Sequence, residues 1–144
     1  MCGMVRHTLA ITAVLCLGSF AAEPAGGQRP QAGFDAAKGR ALYTTYCSSC
    51  HGENGEGQPG TYPPLKGSGV VTKADPTKQI HTVLEGLRGA RAGGVLYTDP
   101  MPAFGSVLND VDIAGIIDYE RSSWGNHGKL VIAAQVAAER DQSK

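Results

Sequence analysis

The sequence predicts an all-α domain with two long irregular loops. Three observations carry that prediction. Apolar residues recur at helical spacing in four segments between residues 35 and 140. The stretches between them are punctuated by Gly and Pro; 20 glycines and 8 prolines in 144 residues are well above average usage. No segment alternates polar and apolar residues in a way that reads as a strand.

Composition narrows the class further. Lys+Arg and Asp+Glu are both 13, so the chain lacks the basic excess of a nucleic-acid binder. Charged residues at 18% and hydrophobic residues at 42% do not fit disorder. The aromatics are 3 Phe, 5 Tyr and 1 Trp, so a single core is short of large side chains. Something other than side chains is expected to help fill it.

The first residues resemble an address. Arg6 stands before the apolar run Thr8 to Phe20, and Ser19-Phe20-Ala21 supplies small residues for cleavage. The expected division is a signal peptide over 1–21, a flexible leader over 22–34 and a folded domain over 35–144. Cleavage after Ala21 removes Cys2, Cys16, Met1 and Met4. Cys47, Cys50 and Met101 are then the remaining Cys and Met residues. The expected location is the periplasm, with no membrane span once the signal is gone.

The elements follow in order. Asp35 is the N-cap of a first helix, with Phe34 before it as a staple. Leu42 and Tyr46, and then Tyr43, Cys47 and Cys50, keep the helical period. Gly52 to Gly69 holds six glycines and three prolines and reads as loop. Asp75-Pro76 opens a short helix with Ile80, Val83 and Leu84 on one face and Gly86 as its stop. Leu87 to Ser106 is the second loop and contains Met101. Asn109 or Asp110 caps a helix through Trp124, striped by Ile113, Ile116 and Ile117, and ended by Gly125. Val131 to Arg140 is the last helix and has no capping side chain before it. Two loops this long need something to pack on.

The chemistry is carried by Cys47-Ser48-Ser49-Cys50-His51, the C-x-x-C-H pattern of c-type haem attachment. At i,i+3 on a helix both thiols share a face and reach the two vinyl groups of one porphyrin. His51 is i,i+4 to Cys47, which puts its imidazole under the iron. Zinc is disfavoured because no second Cys pair exists, and a redox dithiol because no βαβ pattern surrounds the motif. The sixth iron position then needs a ligand. Met101, followed by Pro102 in a Gly-rich loop, supplies a thioether that favours Fe(II) and closes the iron to small molecules. His81 and His127 are the rival ligands. Arg88 and Arg91 are candidates to pair with haem propionates, against a reading as solvated loop charge. Tyr97 is a candidate propionate donor or a packing residue, and Trp124 a packing anchor between the last two helices.

From about Asp35 to Arg140 the sequence resembles the class I c-type cytochromes, the monohaem family with His/Met ligation. The resemblance implies four or five helices wrapped around one covalently attached haem. It implies that Gly39 and Tyr43 in the first helix cross the last core helix at Ile116 and Tyr119. It assigns to Pro63, or alternatively Pro64, the carbonyl that accepts the Nδ1 hydrogen of the proximal His. Met101-Pro102-Ala103-Phe104-Gly105 and Tyr119-Glu120-Arg121-Ser122-Ser123-Trp124-Gly125-Asn126 are similar to cytochrome domains of bacterial periplasmic dehydrogenases and some terminal oxidases, among them the cytochrome subunits of quinoprotein alcohol dehydrogenases. Ile132 departs from the pattern, where a Ser or Thr cap is common.

The resemblance implies a periplasmic electron carrier between a dehydrogenase-type donor and a respiratory acceptor, with no substrate chemistry of its own. A cytochrome subunit held in a dehydrogenase or oxidase complex is the alternative. A haem sensor or peroxidase would need an open sixth site and a distal acid–base pair, and none is visible. A haem-free structural module would need the C-x-x-C-H pattern to be coincidence.

Overall fold

The computed structural model describes residues 34–143. The expected signal peptide and nearly all of the leader lie outside them. Among the described residues there are five helices: α1 Ala36–Tyr46, α2 Ser48–His51, α3 Thr77–Glu85, α4 Asp110–Ser122 and α5 Ala133–Gln142. None of them is long and apolar enough to cross a membrane.

Local chemistry sets the boundaries. The Asp35 carboxylate accepts the backbone N–H groups of Ala37 and Lys38, both at 3.0 Å, which fixes the start of α1. Asn109 does the same for α4, accepting from Asp112 N at 2.9 Å. At α3 the helix begins one residue later than expected. Pro76 is the capping position, and Asp75 reaches past it to accept from Thr77 N at 3.0 Å. The missing cap of α5 is made good from inside the helix, where Gln135 Oε1 reaches back to accept the Ile132 N–H at 3.0 Å. The helix α4 stops at Ser122, two residues short of expectation, because Trp124 adopts φ +54° and turns the chain away.

One element was not legible in the sequence. Residues 87–106 contain a short antiparallel hairpin, β1 Ala90–Ala92 and β2 Val95–Tyr97, in register Ala90↔Tyr97, Arg91↔Leu96 and Ala92↔Val95. Three-residue strands are too short to show alternation, and the turn between them is Gly93-Gly94.

The frame of the domain is the crossing of α1 over α4. A Cβ on Gly39 would lie 2.4 Å from the Gly115 carbonyl oxygen and 3.2 Å from Tyr119 Cβ, so only glycine permits this approach. The expected partner Ile116 is therefore corrected to Gly115. Gly115 and Tyr119 are i,i+4 and share the face toward α1, whereas Ile116 turns inward and lines the cavity described below. Tyr43 closes the crossing, its ring centroid 5.3 Å from that of Tyr119 and 5.1 Å from that of Trp124. Trp124 is a packing anchor, but it joins α1 to α4 rather than the last two helices. The buried core joins Tyr43, Ile80, Val83, Leu84, Ile113, Ile117 and Val136.

Candidate functional site

A cavity of about 640 Å³ opens between α2, α3, α4 and the hairpin loop. Its walls include Cys47, Cys50, His51, Pro63, Arg91, Met101, Phe104 and Ile116. The expected attachment, ligand and second-sphere residues thus meet at one place, from segments fifty residues apart in the chain.

The His51 side is built first from backbone. Cys50 N and His51 N both donate to Cys47 O, at 3.2 and 3.0 Å, so the helical turn survives the break between α1 and α2. The Tyr43 hydroxyl donates to Gly52 O at 2.6 Å, and Gly57 N donates to His51 O at 2.7 Å. His51 Nδ1 donates to Pro63 O at 2.9 Å, which fixes the tautomer and leaves Nε2 as the ring nitrogen with a lone pair. Of the two prolines open to this role, Pro63 takes it. Gly57 lies against this carbonyl at φ +67°, and a Cβ there would come within 2.8 Å of Pro63 O. Burial holds the His51 imidazole below its ordinary pKa, the neutral form that a metal ligand needs. Cys47 and Cys50 are both free thiols. Burial is the main reason that the Cys47 thiol is raised far above its ordinary value.

Two residues quoted only as part of a motif turn out to hold this wall. Arg121 is fully buried, and its guanidinium donates to the carbonyls of Lys73 and Lys129, both at 2.5 Å, and to Gln79 Oε1 at 2.9 Å. Asn126 Oδ1 accepts from Gly67 N at 2.8 Å, and its Nδ2 donates to Glu120 O at 2.8 Å and Leu65 O at 3.2 Å. Both tie the 52–76 loop to the end of α4. Their signal was present in the sequence as an Arg and an Asn beside Trp124, but their partners are backbone groups that composition does not reveal.

The Met101 side hangs from the end of α3. Met101 and Leu87 exchange backbone hydrogen bonds at 2.8 and 3.1 Å. Phe104 N and Gly105 N donate to the last carbonyls of α3, Val83 O and Leu84 O, both at 3.0 Å. Arg140 bonds the carbonyls of Gly105 and Leu108 and pairs with Asp110 at 2.7 Å.

The remaining expected residues separate. Arg91 lines the cavity from its exposed rim. Arg88 is exposed and Tyr97 is buried, and neither belongs to the lining. The rival histidines lie elsewhere. His81 has both ring nitrogens engaged, with Glu85 at 3.0 Å and Glu139 at 2.9 Å. His127 is exposed and outside the lining.

Comparison with known proteins agrees with this geometry. The family described as cytochrome c oxidase, cbb3-type, subunit III matches residues 34–119, and the chain belongs to this family of c-type cytochrome domains. It is 35% identical over 109 residues to the gluconate 2-dehydrogenase cytochrome c subunit of Pantoea cypripedii, covering 74% of this chain and 24% of that one. It is 31% identical over 104 residues to the cytochrome c subunit of a quinone alcohol dehydrogenase from Gluconacetobacter polyoxogenes, covering 72% and 22%. It is 33% identical over 98 residues to cytochrome c-552 of Thermus thermophilus, covering 65% and 73%. The chain thus spans about a quarter of the dehydrogenase subunits it matches and most of the c-552. The fold is the class I cytochrome c fold, and membership of the family implies a covalently bound c-type haem.

The residues present fit that group. A thiol pair on one turn, a neutral imidazole with its Nδ1 tied back, and a thioether surround an enclosed volume in the range of cofactor sites. The shortage of large core side chains has its explanation in that volume.

Proposed function

We propose that this chain carries one haem, attached through Cys47 and Cys50, with His51 and Met101 as the axial ligands, and that it passes electrons in the periplasm from a dehydrogenase-type donor to a respiratory acceptor. The single observation that carries the reading is the convergence of both thiols, His51 and Met101 on one cavity. The haem supplies one-electron Fe(III)/Fe(II) chemistry when bound. The chain's own residues orient and insulate it. Pro63 O keeps the His51 ring in one tautomer and raises its basicity as a ligand. The Met101–Leu87 exchange and the bonds from Phe104 and Gly105 to α3 hold the Met101 loop in place. Arg91, at the rim, is the side chain we assign to a propionate; Arg88 and Tyr97, next to lining residues but outside the lining themselves, are not given that role.

The likeness to dehydrogenase cytochrome subunits supports a quinoprotein dehydrogenase as donor, and a subunit held in such a complex fits equally. The N-terminal sequence supports export. No nucleic-acid partner is proposed, since formal net charge is zero. The test is expression where haem-attachment machinery is present. The expected result is a mass increment of one haem and a reduced-minus-oxidised spectrum of c type, followed by rapid reduction by a substrate-loaded quinoprotein alcohol dehydrogenase. Loss of the mass increment in the Cys47→Ser, Cys50→Ser variant completes it. A protein that leaves that machinery without haem contradicts the proposal.

A further inference from the structure

Two carboxyl residues line the haem cavity. Asp99 is exposed at the rim; Glu120, on α4, is buried. Gln79 Nε2 donates to Glu120 Oε2 at 2.8 Å, and Gln79 Oε1 accepts from Arg121 Nη1 at 2.9 Å. A neutral amide therefore stands between the carboxyl and the nearest guanidinium. Arg121 also donates to the Lys73 and Lys129 carbonyls, and among the described residues no hydrogen bond or ion pair joins it directly to Glu120. A buried carboxyl with one neutral donor is a costly feature in a cavity wall.

The groups around Glu120 are few. From α1 it faces Tyr43 and Cys47, whose ionisation it disfavours. From α3 come Gln79 and the exposed Lys78, which lines the same cavity. His51 of α2 lines the same cavity, and Arg91 lies at the rim with Asp99. Glu139 of α5 is engaged by His81 and Thr77. Burial pushes the Glu120 carboxyl up to about 7, against the opposing pull of Gln79 and Arg121.

We propose that Glu120 is a redox-linked proton site, holding a proton while the haem iron is Fe(II) and releasing it to water when the electron leaves. The inference rests on the haem reading above. On oxidation one electron passes to the acceptor protein and one proton leaves the carboxyl, so the charge gained at iron is offset by the carboxylate formed in the same cavity. On reduction Glu120 takes a proton back from water. The attraction between a carboxylate and Fe(III) is large in a low-dielectric interior, so deprotonation lowers the reduction potential. The potential at which this cytochrome accepts electrons is thereby set by pH near neutrality.

The test is the midpoint potential of the haem-loaded protein from about pH 5.5 to about pH 8.5, in wild type and Glu120→Gln. Wild type is expected to lose potential as pH rises, by up to about 59 mV for each tenfold fall in proton concentration. Glu120→Gln is expected to be flat and to sit near the acidic limit of wild type. Equal slopes in the two proteins, or a flat wild type, would overturn the inference. Gln79→Leu keeps the carboxyl and removes its hydrogen-bond donor, so the break in the wild-type curve is expected to move to higher pH; an unmoved break also counts against Glu120. These outcomes are separable from failure of the functional reading. A chain that takes up no haem fails that reading, whereas a haem-loaded chain whose potential ignores Glu120 fails this inference alone.

Discussion

The two walls of the haem cavity are held by different means. The wall carrying His51 and Pro63 is stitched by buried side chains, Arg121 and Asn126, that reach across 48 to 61 residues of sequence to bond loop carbonyls and amides. The wall carrying Met101 is held by backbone bonds to the end of α3 and by the partly buried Arg140. A loop with a buried guanidinium at its centre cannot move without stranding several polar groups. A loop hung on backbone bonds near solvent opens at lower cost. The difference assigns rigidity to the His51 side and adaptability to the Met101 side of the same cavity.

The comparison can be broken on the proximal side first. Arg121→Leu strands the Lys73 and Lys129 carbonyls and Gln79 Oε1, so a loss of about 3 kcal/mol or more is expected in denaturant unfolding of the haem-loaded protein. Asn126→Ala removes three hydrogen bonds around Gly67, Leu65 and Glu120 and is expected to cost about 2 kcal/mol in the same measurement. On the distal side Arg140→Leu is expected to cost about 1 kcal/mol, with amide exchange accelerated at Gly105 and Leu108 but not at Gly67. Equal exchange at both walls would erase the distinction. The smallest effect belongs to His81, which joins α3 to α5. Its pKa is raised above 6.5, chiefly by the hydrogen bond to Glu85. The stabilisation is full below the unfolded value and is lost as pH rises through the raised folded value. The thermal midpoint of wild type is expected to fall slightly over that interval, and His81→Gln to lose that portion of the pH dependence.

The two walls also differ in how far the sequence disclosed them. Cys47, Cys50 and His51 stood out as candidates because attachment chemistry demands fixed spacing on one helical turn, and Met101 because the sequence contains so few thioethers; all four line the cavity. The pairing of His51 with Pro63 followed from family resemblance and is present at 2.9 Å. The Gly39 crossing was foreseen, but its partner was off by one residue, since a helix face is set by i,i+4 neighbours that a single position does not define. The hairpin over residues 90–97 escaped because its strands are shorter than any periodicity. Arg121, Asn126 and Glu120 escaped for another reason. Charged and amide side chains are expected at the surface, and their burial depends on backbone partners that only folding brings near.

The central claim is that the cavity holds its haem between His51 and Met101. The visible spectrum of the oxidised protein tests it most directly, through the weak far-red band of iron–sulfur ligation. The account predicts the band in wild type and in His81→Ala and His127→Ala, and its loss in Met101→Ala. A wild-type spectrum without the band, or a band that survives in Met101→Ala, would contradict it.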